Sequence, residues 1–204
     1  MADDAPRLYL VTPERVDTAF ASTLERVLAS IPVACLRLDL ATSDEAAWRQ
    51  AANHLLPICH EADVALVIAE HYRLVQPLGL DGVHLTGPTP VRSVRKDLGG
   101  DAIVGAGAGT SKHKGMTLAE AGVDYVSLGP VAETGQLGDG DLADPDLFAW
   151  WSEMIEVPVV AEGGVGAAQA QALASTADFM VPDRRLWDAP DPHAALAEIA
   201  AILA

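Results

Sequence analysis

The sequence predicts a (β/α)8 barrel, and three observations lead there. Short runs rich in Val, Ile and Leu alternate eight times with longer amphipathic or Ala-rich segments. The short runs are almost continuously apolar, as strands are when helices cover both faces of a parallel sheet. Divided among eight strand–helix units, 204 residues leave about 25 each, the lower edge for a closed barrel, so the loops must be short. A doubly wound open sheet is the alternative. It would use fewer strands, and the Gly-x-Gly-x-x-Gly turn that would favour it is missing near the N-terminus.

In order, the first strand is expected at 7–12 and its helix at 13–30. The second strand, 33–40, carries Cys35 and the charged Arg37 inside an apolar run, and is followed by a helix over 43–60. The third and fourth units pair strands at 63–69 and 82–86 with helices at 71–78 and 89–98. The fifth strand, 102–106, runs into a Gly-rich loop at 105–113 that resembles a phosphate cradle but lacks the Walker A spacing. Ser111 in that loop reads as the N-cap of a helix over 113–121. The sixth strand, 124–129, precedes the longest polar stretch, 132–146, which is the candidate lid, and then a helix at 145–155. The last two units are strands 157–161 and 178–182 with helices 166–175 and 191–203. No shift in composition divides the chain, so one domain over 1–204 is expected.

Composition narrows the function. With 29 Asp and Glu against 13 Lys and Arg the net charge is −16, which repels nucleic acid and anionic membranes. Two cysteines, Cys35 and Cys59, are too few for a disulfide framework and read as small core residues. The first residues lack a basic segment followed by an apolar one, and no apolar run approaches the roughly 20 residues of a membrane span. A cytoplasmic protein is expected.

A barrel of this class builds its site at the C-terminal ends of the strands. The candidates there are Arg37 and Asp39, Glu70 and His71, His84 and Thr86, Glu133 and Thr134, then Glu162, Gly163 and Gly164, and finally Asp183, Arg184 and Arg185. Gly163-Gly164 follows a buried strand and precedes a helix, where a side-chain-free backbone can meet a phosphate. The plain alternative is a tight turn with no ligand. Arg37 needs a partner wherever it points, and Asp39 or Glu70 is the expected one. His84 reads as a hydrogen-bonded core histidine. No His, Cys, Asp and Glu spacing matches a zinc site, and no Gly-x-Ser-x-Gly elbow is present.

Three segments carry a resemblance: Asp81 to Leu85, Gly122 to Val131, and Val157 to Val165. Their order and spacing resemble the thiamine phosphate synthase family, from about residue 7 to 203. The resemblance implies a (β/α)8 barrel that joins a hydroxymethylpyrimidine diphosphate to a thiazole phosphate and releases pyrophosphate, with Mg²⁺. It implies catalytic roles for Arg37 and Glu70, with Glu70 also a metal carboxylate, and phosphate contacts from Thr134, Gly163 and Gly164. The family's lysine on the second strand is Asp39 here, and the second metal carboxylate after the fourth strand falls in Thr86-Gly87-Pro88-Thr89. Charge for a phosphate must then come from Arg184 or Arg185. The expected partner is a small phosphorylated metabolite; a homo-oligomer is left open. An isomerase or tautomerase of such a metabolite, or a non-catalytic relative that binds one, remains an alternative.

Overall fold

The structure, a computed structural model, describes residues 5–133 and 141–204. Eight parallel strands close into a barrel in chain order: β1 (Arg7–Val11), β2 (Val33–Leu38), β3 (Ala65–Ala69), β4 (Gly82–Leu85), β5 (Ile103–Gly109), β6 (Tyr125–Leu128), β7 (Val159–Val165) and β8 (Phe179–Pro182). Closure runs through Arg7 beside Phe179 and Leu8 beside Met180. The expected barrel is therefore the observed one.

Strand side chains alternate between two apolar layers, as the period of two requires. Leu8, Leu10, Leu36, Leu38, Leu66 and Ile68 face outward into the large core shared with the helices. Each such leucine or isoleucine is worth about 1.5–3 kcal/mol of burial. Tyr9, Val11, Cys35, Val67, Tyr125, Val160 and Val181 form a separate cluster that fills the barrel. The buried polar groups Arg37, Ser127 and Glu162 lie two residues beyond Cys35, Tyr125 and Val160 on the same inward rows, and His84 is buried on β4.

Acidic residues serve the frame as well as the surface. Asp81, Asp124 and Asp178 stand just before β4, β6 and β8, and each accepts the backbone N–H of a neighbouring strand at 2.7 Å: Leu66, Val104 and Val159. These three carboxylates accept strand N–H groups at the barrel floor. Asp17, Asp44, Asp144 and Asp191 cap the helices α1 (Thr18–Leu28), α2 (Glu45–Glu61), α6 (Pro145–Met154) and α8 (Pro192–Leu203). Ser111 caps α5 (Lys112–Glu120), in line with its position in the sequence.

Several boundaries differ from the sequence expectation. The first helix begins at Thr18, not at 13, because Asp17 supplies the cap and Pro13 to Val16 stay outside. The expected helix at 71–78 is a 3-10 turn over Tyr72–Leu74 and a single turn, α3 (Val75–Leu78). The Gly-rich stretch after residue 106 is strand, not loop: β5 continues to Gly109 beside β6. Likewise β7 runs through Gly163-Gly164 to Val165, so the glycines lie in the end of a strand and α7 (Ala167–Leu173) starts only after Gly166. α4 (Val91–Leu98) completes the helices. Within the candidate lid, residues 134–140 lie outside the described residues.

Candidate active site

A cavity of about 260 Å³ opens at the C-terminal end of the barrel between β1, β2, β7 and β8. Arg37, Asp39, Glu162, Gly163, Gly164 and Arg184 are among the residues that line it. Gly163 and Gly164 adopt φ of +84° and +83°, left-handed values that glycine takes without strain. The Gly163 carbonyl accepts N–H groups from Val131 at 2.8 Å and Ala132 at 3.1 Å, which ties this wall to the loop after β6.

Arg37 points into the barrel, and its hydrogen-bonded partner is Glu162, while Asp39, one of the two expected acids, makes a longer ion pair. Glu162, from β7, takes the guanidinium end: Nη1 donates to Oε2 at 3.3 Å and Nη2 to Oε1. Asp39 Oδ2 stands 3.8 Å from Nε, beyond a hydrogen bond. Glu70 is engaged elsewhere. Burial works to raise the Glu162 carboxyl, but Arg37, with His84 behind it, outweighs burial and brings it down to about 2. Burial likewise opposes the Arg37 charge, and Glu162 more than restores it.

Below this pair lies a chain of neutral polar groups. His84 Nδ1 shares a hydrogen bond with the Tyr125 hydroxyl at 2.9 Å, and that hydroxyl shares another with Tyr9 at 2.7 Å. The His84 ring stacks on Tyr125 with centroids 5.7 Å apart. Its Nε2 is 4.0 Å from Glu162 Oε2 and is buried without a hydrogen bond among the described residues. Burial first, then the Arg37 charge, lowers the His84 pKa from 6.5 to about 3, so the ring is neutral at pH 7. The core histidine expected from the sequence is thus present, with one nitrogen satisfied.

These two shifts act in the same direction on stability. Between pH 6.5 and about 3 the unfolded chain binds a proton at His84 that the folded chain refuses. Glu162 adds stability above its ordinary 4.5, and this is lost as pH falls toward about 2. The urea midpoint should therefore drop from pH 7 to pH 4, and His84→Gln should flatten the part above pH 4.5. An unchanged profile in that variant would remove His84 as its source.

The remaining candidates separate. Arg184 reaches across the mouth: its Nη2 donates to the Asp39 carbonyl at 3.0 Å and forms an ion pair with the Asp39 carboxylate at 3.1 Å. Arg185 is 60% exposed, grips Asp183 at 2.8 Å, and lines a different hollow beside α7 and α8. Glu70 does not line the cavity. Its backbone holds a φ of +59°, and its Oε1 accepts from Thr86 Oγ1 at 2.6 Å, from Thr86 N–H and from Gly87 N–H. It clasps the loop after β4 to the end of β3. Thr134 lies outside the described residues.

A family model described as thiamine monophosphate synthase matches residues 8–181 of this chain. The chain belongs to the thiamine monophosphate synthase family. It is 39% identical to the thiamine-phosphate synthase of Rhodospirillum centenum over 196 residues, covering 94% of this chain and 95% of that protein. The thiamine-phosphate synthase of Hyphomonas neptunium is 36% identical, over 93% of this chain and 89% of its own. A solved thiamine phosphate pyrophosphorylase from Pyrococcus furiosus shares the fold with a TM-score of 0.85 at 19% identity, covering 98% of this chain and 96% of that one.

In this member of the thiamine monophosphate synthase family the cavity contains a residue, Glu162, whose place in a strand is legible in the sequence but whose role is not. Glu162 is a carboxylate in an otherwise apolar strand, just as Arg37 is a cation in one. Each lies on an inward row, Arg37 fifth of six residues in β2 and Glu162 fourth of seven in β7. That match is a usable signal that the two meet across the barrel.

Proposed function

We propose that this barrel joins a hydroxymethylpyrimidine diphosphate to a thiazole phosphate in thiamine biosynthesis. The carrying observation is the cavity at the C-terminal mouth, where a buried arginine, a second arginine and a side-chain-free glycine pair converge. In this reaction the pyrimidine methylene–oxygen bond breaks, pyrophosphate leaves with the electron pair, and the thiazole nitrogen attacks the carbocation. Most of the catalysis asked of a protein is to stabilise the leaving charge and hold the nucleophile in line. Arg37 and Arg184 are the cations available for the first task, and the Gly163-Gly164 backbone gives the anion close approach to the wall.

Magnesium accompanies the diphosphate in the family, and the donor set here does not fit a resident ion. Among the described residues no group of three or more His, Cys, Asp and Glu is placed to hold a metal. Glu70, the carboxylate at the matching position, already accepts three hydrogen bonds on one oxygen. The roles assigned here accordingly fall to the chain's own groups.

One observation favours a second reading. Both cavity arginines are paired with acids, Arg37 with Glu162 and Arg184 with Asp39. An incoming diphosphate must compete with those acids, which suits a ligand with a single phosphate, as an isomerase, a tautomerase or a non-catalytic relative would take. A coupling assay with both precursors and Mg²⁺, read as pyrophosphate release, separates the two. Turnover supports the synthase reading, and its absence with binding of a phosphorylated metabolite supports the second. The two arginines should also separate in pyrophosphate titrations. Arg184→Ala should weaken binding about 10- to 100-fold, the loss of one or two charge-assisted hydrogen bonds. Arg185→Ala should bind as the parent does. Equal effects in the two variants would contradict the assignment.

A further inference from the structure

We propose that Glu162 is a positioning residue that aims the free edge of Arg37 at an anionic ligand. A guanidinium carries five N–H donors arranged in two forks, one at the Nη1–Nη2 end and one along Nε and Nη2. Glu162 fills the first: Nη1 donates to Oε2 at 3.3 Å, and Nη2 to Oε1. The second is left over. Arg37 Nε is buried and has no hydrogen-bond partner among the described residues, while Arg37 itself is 5% exposed and lines the cavity. A buried donor without a partner is costly, and a site that binds an oxygen there recovers the cost only when occupied.

The groups around the guanidinium leave this edge without a hydrogen bond, with Asp39 near it only as a longer ion pair. Asp39 Oδ2 is 3.8 Å from Nε and is taken at 3.1 Å by Arg184. Arg37 Cζ lies over the Tyr9 ring, 5.9 Å from its centroid, and the Tyr9 hydroxyl is engaged with Tyr125. Arg37 shares the lining of the cavity with Gly163-Gly164. A phosphoryl group with two oxygens suits such a fork, in the bidentate geometry that lysine cannot offer. Glu162 acts through Arg37 and does not touch the ligand. Its length matters because it comes from β7, across the barrel from β2, and so fixes how far the guanidinium stands from the cavity.

This inference rests on the reading that the cavity takes a phosphorylated anion. The test uses pyrophosphate, with titration calorimetry and the Arg37 Nε–H resonance as readouts. Arg37→Lys assigns that resonance by its disappearance. In the parent, pyrophosphate should shift it. Glu162→Asp keeps the charge and shortens the arm by one methylene, drawing the guanidinium back. It should lower affinity about tenfold or more and leave the resonance unmoved by the ligand, although the chain stays folded. A purely structural ion pair would tolerate this change in charge-conserving form. Parent-like affinity and a parent-like shift in Glu162→Asp, with binding still weakened in Arg184→Ala, would overturn the positioning role alone. No pyrophosphate binding by the parent would overturn the anion reading and this inference with it.

Discussion

Arg37→Met is expected to destabilise the fold by about 3–5 kcal/mol, because it leaves the Glu162 carboxylate buried without its counter-charge. Glu162 is 6% exposed, and its nearest remaining polar neighbours are Ser127 and a neutral His84. Glu162→Met should cost a similar amount by stranding the guanidinium. The double variant Arg37→Met/Glu162→Met should recover most of the loss, since apolar side chains of similar size join the cluster that already fills the barrel. Urea unfolding at pH 7 measures all three. Losses that simply add would show that the two residues do not depend on each other. The pH response of Arg37→Met gives an independent sign. Without the arginine, burial lifts the carboxyl above its ordinary 4.5, so that site contributes less as pH rises through the new value, opposite to its effect in the parent.

The pair also shows which features can be read from the sequence. Eight apolar runs with helical segments between them specify a closed barrel, because period-two burial on both faces leaves few other solutions. The strand ends are harder. Gly105 to Gly109 have the composition of a loop, yet they pair with β6 because the barrel neighbour supplies the ladder that local propensity does not, while Gly163-Gly164 sit where the β7–β8 register shifts between Ala161 and Val165. At the site, the sequence shows which charges sit in strands but not which strand faces which across the barrel. Local proximity suggests Asp39 or Glu70 for Arg37, and the closed barrel brings Glu162 from 125 residues away. Glu70 illustrates the converse. Its position matches a metal carboxylate, but its geometry commits one oxygen to the loop after β4, and only coordinates reveal that. Arg184 and Arg185 are equivalent as sequence, and they diverge because Asp183 captures the second at the start of the 3-10 turn.

Gly105→Ala is expected to be a severely damaging single-methyl change near the site, costing about 3 kcal/mol or more, the upper end for overpacking a core. A Cβ there would fall 1.9 Å from Cζ of Tyr125 and 2.3 Å from its two Cε atoms. A flexible side chain could step aside, but this ring cannot do so cheaply. Its hydroxyl is held by Tyr9 at 2.7 Å and His84 at 2.9 Å, and its edge packs against Tyr9 with centroids 5.7 Å apart. Moving the ring therefore breaks two buried hydrogen bonds and shifts His84, which stands beneath the Arg37–Glu162 pair. Gly100→Ala is the matched control, since nothing lies within 4 Å of a Cβ at that position. It should stay within about 0.5 kcal/mol of the parent, as surface changes usually do. Trimming the obstacle should rescue the fold, so Gly105→Ala/Tyr125→Leu should be more stable than Gly105→Ala alone. Pyrophosphate titration of the rescued variant then reads the next link: with His84 released from Tyr125, the floor under Arg37 is looser and affinity should fall although the chain is folded. Parent-like stability in Gly105→Ala would mean that the Tyr125 ring is not confined by its two hydrogen bonds, and the rigid floor assigned to the cavity would not exist.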